Sequence, residues 1–363
     1  MINVLYVVST LKKCGPTNQL SYIIKYLDKT KFSPIVLTLS PEPNVGSMKS
    51  YFEGDLGIKV CTLGLPRVKG LFFASAALNK FIKVNAIDLI HSQGIRADSL
   101  LSKRSLSIPW VMTSRNYPYD DYPMKFGKVK GSIMAFSHTR AMRKCNNVVA
   151  CSKTIASELS FHNISATPIQ NGVDLGGKLN KASINYESLD RPVFITVGSL
   201  IPRKNMEFIV NAFNEFAINN KGSLLVLGDG PNMDNLKSIG KKSSIYFEGN
   251  VDNVAGYLAL SDYFISASLS EGLPNTVLEA LASGLPSLLS DIPSHEEIAS
   301  ECPLSCHIFN LMDGSGSLSK KLENISDIFS NEAVDEAKDI AKSIFSASAM
   351  SLSYQKLYKI LLH

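Results

Sequence analysis

Along the chain, short continuous apolar runs alternate with longer stretches whose apolar positions recur every three to four residues. The runs read as buried strands and the periodic stretches as helices packed over them. In the first half the runs predict strands at residues 3–9, 34–40, 59–63, 89–92, 110–114 and 147–151. Helical stretches between them include residues 19–27, 71–85 and 132–144. The second half repeats the theme, with strands at 192–198, 223–227, 245–248, 263–266 and 286–290 and helices at 206–219, 233–238, 254–260 and 276–283. Continuous rather than alternating apolarity implies strands covered on both faces, hence parallel sheets flanked by helices, twice over. The join falls near Asn171-Gly-Val-Asp174 and is followed by a polar stretch, 176–191; a final helix spans about 347–362. No internal repeat and no low-complexity tract is present.

A length of 363 residues suits two domains, and a composition that is 45% hydrophobic and 19% charged is that of a globular chain. The six cysteines fit no disulfide framework; Cys302 and Cys306 form the one dense pair, too few for a zinc site, so a reduced cytosolic protein without metal is expected. Residues 2–8 lack a basic leader and a cleavage site and read as a strand, and no apolar run reaches membrane-spanning length. Charge is divided unevenly. Residues 1–172 hold 22 Lys and Arg against 9 Asp and Glu, a net +13, whereas the remainder is −8. A basic first half points to an anionic partner such as a membrane surface or a lipid diphosphate, with a solvated basic face as the plainer reading.

Candidate chemistry concentrates in the second half. Glu271-Gly-Leu-Pro-Asn-Thr-Val-Leu-Glu279 places two carboxylates around a turn that enters a short helix. Asn275 reads as its N-cap and Gly284, before Leu285-Pro286, as its end. Backbone N–H groups at Leu273, Asn275 and Thr276 would then stand at the positive end of a helix, suited to a phosphate. The loop after the strand at 192–198 carries Gly198, Arg203 and Lys204: close backbone approach, then a fork and a point charge for a diphosphate. Gly228-Asp-Gly230-Pro follows the next strand and suits either the flat face of a base or a plain strand–helix turn. No G-x-G-x-x-G and no Walker sequence is present, which argues against dinucleotide cofactors and P-loop chemistry.

In the first half, the loop Thr10-Leu-Lys-Lys-Cys-Gly-Pro-Thr-Asn18 contains Gly15, and His91 ends a strand either as a structural histidine or as a donor to a reacting sugar. Arg115 and Asn116 end the next strand, where they would recognise a phosphate or an acceptor, or cap a helix. The stretch 117–144 mixes Tyr117, Tyr119, Tyr122, Phe126 and Phe136 with six Lys and Arg. It suits a lipid headgroup surface or an ordinary amphipathic helix; nucleic acid is not expected, because no recognised binding module accompanies the charge.

Taken together, Gly198…Arg203-Lys204, Gly228-Asp-Gly-Pro231, the Glu271-x7-Glu279 spacing and Asn171-Gly-Val-Asp174 resemble the family 4 retaining glycosyltransferases of the GT-B fold. The resemblance spans nearly the whole chain and is strongest from Asn171 to Glu297. It implies two Rossmann-like domains with a cleft between them: 1–172 for the acceptor, 173–345 for the nucleotide-sugar, and a helix at 346–363 crossing back to the first domain. It further implies that Arg203 and Lys204 hold the diphosphate and that Glu279 binds the ribose. Glu271 would contact the donor sugar, with backbone N–H groups from Gly272 to Thr276 beside it; Gly198 and Gly230 would line the nucleotide and Gly15 would lie by the diphosphate. No cofactor or metal is implied. Three positions depart from the common pattern: Cys14-Gly15-Pro16 where many members have Gly-Gly, Gly198-Ser199 where many have Gly-Arg, and Arg115-Asn116 where many have a histidine. The expected activity is transfer of a UDP- or GDP-linked sugar to a polyprenyl-diphosphate-linked or other lipid-linked glycan, as in O-antigen or capsule synthesis, at the inner face of the cytoplasmic membrane. Two rival readings are a nucleotide-sugar epimerase or hydrolase on the same fold and a non-catalytic partner subunit.

Overall fold

A computed structural model describes residues 1–175, 189–240 and 244–362, apart from the side chains of residues 67–72. Most of the polar stretch 176–191 lies outside the described residues. The chain divides into two compact units, Met1–Gly172 with Ala347–His363, and Val173–Ser346.

The first unit is a seven-stranded sheet with every pairing parallel. Its strands are β1 (Ile2–Val8), β2 (Phe32–Thr38), β3 (Lys59–Thr62), β4 (Leu89–Gln93), β5 (Trp110–Ser114), β6 (Asn147–Ala150) and β7 (Ala166–Pro168), in the order β3-β2-β1-β4-β5-β6-β7. Its helices are α1 (Gly15–Lys25), α2 (Lys49–Glu53), α3 (Arg67–Val84), α4 (Ile95–Leu101), α5 (Pro118–Phe126), α6 (Lys128–Met142) and α7 (Lys153–Ser160). The second unit repeats the plan with six strands: β8 (Val193–Val197), β9 (Ser223–Leu227), β10 (Ile245–Gly249), β11 (Tyr263–Ser266), β12 (Ser287–Ser290) and β13 (Cys306–Phe309), ordered β10-β9-β8-β11-β12-β13. Around it lie α8 (Met206–Phe216), α9 (Met233–Ile239), α10 (Val254–Leu258), α11 (Asn275–Ala282), α12 (Pro293–Glu301), α13 (Ser315–Glu323), α14 (Ile325–Ile328) and α15 (Glu332–Ser343). Both are Rossmann-like doubly wound sheets, because the strand order reverses between the first and fourth strands of each.

The last helix, α16 (Ala347–Leu362), belongs to the first unit, where it packs on α1. Its Tyr354 and Tyr358 are fully buried in the same apolar cluster as Val4, Tyr6, Ile24 and Phe32. A Ser- and Tyr-rich helix is thus anchored through its aromatic positions.

Several boundaries differ from the sequence expectation. Helix α1 begins at Gly15, four residues early, because Pro16 occupies the first turn, where its missing N–H costs nothing. The basic stretch 117–144 is two helices hinged at Gly127 (φ 83°), not one. Strands β7 and β13 are additional edge strands. Helix α11 starts at Asn275, so Pro274, not Asn275, is its cap.

Candidate active site

Strands β8 and β11 are neighbours, yet the chain leaves them in opposite directions, toward β9 and toward β12. Such a reversal opens a crevice at the carboxyl ends of the two strands. The loop after β8 passes Gly198 and forms a 3-10 turn, Pro202–Lys204, which ends on Asn205 in the left-handed region (φ 50°, ψ 40°). Asparagine tolerates that conformation. The turn directs the Arg203 and Lys204 side chains toward the loop after β11. There Leu269 N donates to Arg203 O (2.8 Å) and Arg203 Nη1 donates to Ser270 O.

The two cations converge on one carboxylate. Arg203 Nη1 lies 2.8 Å from Glu271 Oε2, and Lys204 Nζ lies 2.6 Å from Glu271 Oε1. Ser268 Oγ donates to Glu271 Oε1 as well (3.0 Å). Burial alone would raise the Glu271 pKa, but Lys204 and Arg203 outweigh it and hold the group at about 2. Arg203 Nε is buried without a hydrogen-bond partner among the described residues, leaving one guanidinium donor for a further acceptor. Glu279, on α11, moves the other way. Burial lifts it to about 7 against the opposing pull of Lys204. Two carboxylates beside the same lysine therefore differ in protonation near neutral pH, a separation typical of working sites.

Helix α11 joins the two glutamates and is fixed at both ends. Pro274 O accepts from Val277 N and Leu278 N at 3.1 and 3.3 Å. At the other end Gly284 (φ 80°) closes a Schellman motif, in which Leu285 N donates to Ala280 O and Gly284 N to Leu281 O. Gly272, Asn275 and Thr276 are partly exposed at the start of the helix, whereas the Leu273 side chain is buried. The positive end of α11 thus lies between Glu271 and Glu279 in sequence.

The Gly228-Asp-Gly230 turn has a packing duty. Leu200 N donates to Asp229 O (2.9 Å) and Asn232 N to Leu200 O (3.1 Å). A Cβ on Gly228 would stand 1.9 Å from Gly198 O, and one on Gly230 would stand 2.5 Å from Leu200 O. These glycines let the turn press against the loop that carries Arg203 and Lys204. His295 on α12, which the sequence did not single out, is fully buried behind Glu271, with Nδ1 near Ser290 O (3.0 Å). Burial lowers it to about 4 despite the opposing pull of Glu271, so it is neutral. A Ser-Asp-Ile-Pro-Ser-His run after β12 is the one signal that would have marked it.

In the first unit, the corresponding reversal between β1 and β4 opens a pocket of about 760 Å³. Lys12, Arg96, Arg115, Lys125 and Lys130 line it, together with apolar Leu11, Leu20, Ile95, Phe126 and Met134. Arg115 and Asn116 both reach this pocket. Arg115 Nη1 donates to Asn171 Oδ1 (2.7 Å) and Nε to Gln93 Oε1 (3.3 Å), while Arg115 Nη2 and Gln93 Nε2 are buried without partners among the described residues. The Asn116 amide donates to Asp121, so its side chain serves the start of α5. Gly15 opens α1.

His91 takes the structural reading. It is fully buried, with Nδ1 2.6 Å from Tyr358 Oη and Nε2 2.7 Å from Thr113 Oγ1. Burial, with Arg115 nearby, drives its pKa to about 3. Both nitrogens are engaged within the fold, so it offers no hydrogen bond to an acceptor. Gln93, two residues on, is the β4 side chain that lines the pocket.

Known proteins are similar to this chain in sequence and in fold. A family model described as "Glycosyltransferase Family 4" matches residues 15–176, and one described as "Glycosyl transferases group 1" matches residues 191–308. The O-antigen biosynthesis glycosyltransferase WclY of Escherichia coli is 26% identical over 377 aligned positions, covering 98% of each chain. An Escherichia coli UDP-Gal:alpha-D-GlcNAc-diphosphoundecaprenol alpha-1,3-galactosyltransferase is 25% identical over 66% of this chain and 64% of its own. Among solved structures, Anabaena HepE in complex with UDP-glucose superposes with a TM-score of 0.79 at 16% identity, covering 99% of this chain and 100% of that one, a likeness of fold.

Proposed function

We propose that this chain, which belongs to glycosyltransferase family 4, transfers a sugar from a UDP- or GDP-sugar to a lipid-linked glycan in the synthesis of a cell-surface polysaccharide, with retention of anomeric configuration. The observation that carries this reading is the convergence of Arg203, Lys204 and Glu271 at the strand-order reversal of the second unit, with Glu279 on the adjoining helix. Arg203 and Lys204 stabilise the negative charge that collects on the departing nucleoside diphosphate. A fixed donor aimed at such charge contributes roughly 3 kcal/mol in comparable sites. Two fixed cations and a helix end supply the positive charge, so the chemistry calls for no divalent ion. Glu279 accepts from the ribose hydroxyls, and Glu271 from hydroxyls of the donor sugar.

The acceptor hydroxyl attacks C1 on the face the diphosphate leaves. The C1–O bond to phosphate breaks, the bond from acceptor oxygen to C1 forms, and the acceptor proton passes to a phosphate oxygen. No protein nucleophile is assigned. The basic, apolar-walled pocket of the first unit, with Gln93 and Arg115, suits an acceptor that carries a diphosphate on a lipid. The relatives named for O-antigen synthesis and for an undecaprenol-diphosphate acceptor support this choice.

Incubation with donor and a short-chain prenyl-diphosphate glycan, read by NMR of the new anomeric proton, tests the reaction. Product of the donor's own configuration is expected. Inverted product, or free sugar without acceptor consumption, would contradict the proposal.

A further inference from the structure

The α5–α6 hairpin departs from the usual pattern of a surface helix. The buried side of α6 is built from small and polar residues, Gly131, Ala135, His138 and Thr139, with Met142. Gly131 approaches α5 so closely that a Cβ would stand 2.4 Å from the backbone of Pro123. Three large apolar residues of α6 are on the outside. Val129, Ile133 and Phe136 are 78%, 65% and 57% exposed, and their spacing sets them in one stripe. Met124 and Phe126 of α5 are exposed as well. Scattered exposed apolar side chains are ordinary, but a cluster on a single hairpin marks an interaction surface.

Charge identifies the partner. From residue 122 to residue 157 the sequence has no Asp or Glu and seven Lys and Arg. Lys125, Lys128, Lys130 and Arg140 are exposed on the hairpin itself, and the Lys130 ammonium lies over the Phe126 ring at 5.7 Å. Apolar side chains interleaved with cations fit the boundary between headgroups and acyl chains of an anionic bilayer. A second copy docking through the same face would set these cations against their own counterparts. Among the described residues no helix is long and apolar enough to cross a membrane.

We propose that the outer face of the α5–α6 hairpin, centred on Val129, Ile133 and Phe136 and ringed by Lys128 and Arg140, seats the protein on an anionic lipid bilayer. The same hairpin walls the pocket of the first unit with Tyr122, Phe126 and Met134, so one element meets both the bilayer and the proposed acceptor. The docking surface itself requires no step of the transfer reaction.

Sedimentation of the full chain with phosphatidylcholine vesicles, with and without phosphatidylglycerol, tests this without any turnover. The wild type is expected to bind the anionic vesicles and to lose binding as salt rises. Ile133→Ser/Phe136→Ser is expected to weaken binding on the order of tenfold or more. Lys128→Glu/Arg140→Glu is expected to weaken it roughly fivefold or more per cation. All four side chains are exposed, and thermal stabilisation by UDP or GDP, whose proposed site is centred on the second unit, should be unchanged in both variants. Equal vesicle binding by wild type and variants would overturn the proposal. So would a wild-type dimer that Ile133→Ser/Phe136→Ser converts to monomer, since the face would then belong to a second copy.

Discussion

Lys204 Nζ stands 2.6 Å from Glu271 Oε1, and Arg203 Nη1 holds the other carboxylate oxygen at 2.8 Å. The two cations proposed for the donor diphosphate thus share one carboxylate, the residue proposed for the donor sugar, and the cluster keeps a net positive charge. A diphosphate entering the site competes with Glu271 for both. Glu271→Gln removes that competitor and leaves two half-buried cations without their carboxylate, although Arg203 keeps Ser270 O, a loss of about 2 kcal/mol. The variant should therefore melt well below the wild type, yet gain more in Tm from UDP or GDP. Calorimetry with and without nucleotide checks both halves; equal nucleotide gains would contradict the exchange.

Glu271 and Glu279 impose opposite pH dependences. Glu271 is held near 2, below its ordinary 4.5, so its contribution is present above pH 4.5 and lost as pH falls through about 2. Glu279 is raised to about 7. The folded protein then holds that proton more tightly than the unfolded chain, and the contribution is present below pH 4.5 and lost as pH rises through about 7. Glu279→Gln should flatten the decline of stability between pH 4.5 and 7. Nucleotide affinity, which needs the carboxylate to accept ribose hydroxyls, should rise through pH 7 in the wild type only. Matching pH profiles for the two proteins would contradict the assignment.

Gly228→Ala places a Cβ 1.9 Å from Gly198 O at a backbone φ of +126°. Strain and clash together should cost about 3 kcal/mol or more in urea unfolding and displace the loop bearing Arg203 and Lys204. Gly46→Ala is the control, since it shares a positive φ but has open space around it. Similar losses at both positions would show that loop packing is not the reason for Gly228.

The strand–helix alternation was legible because central parallel strands, buried on both faces, are written as unbroken apolar runs. β7 and β13 escaped because Ala166-Thr-Pro168 and Cys306-His-Ile-Phe309 are short edge strands with mixed side chains. The candidate loops could be picked out in the sequence, since the loop after β8 and the Glu271–Glu279 stretch each carry their own pattern. Their sharing of one carboxylate could not, because it joins positions 67 and 68 residues apart. His91 was open to two readings until Tyr358, 267 residues away, took its Nδ1. The packing of the 228–230 glycines on the loop after β8 was not legible, because sequence does not say which backbone approaches which.

His91→Ala leaves the hydroxyls of Tyr358 and Thr113 without their buried partner. A stability loss of roughly 3–5 kcal/mol is expected, with nucleotide binding unchanged. Loss of turnover at full stability would instead return His91 to the acceptor.

The most direct test of the donor site is a calorimetric titration of the protein with UDP-, GDP-, ADP- and CMP-sugars, repeated on Lys204→Ala and Glu279→Ala. One UDP- or GDP-sugar should bind the wild type, and each variant should bind it at least about tenfold more weakly, as expected for a lost charge-assisted hydrogen bond. No binding by any of the four, or undiminished binding by both variants, would contradict the account.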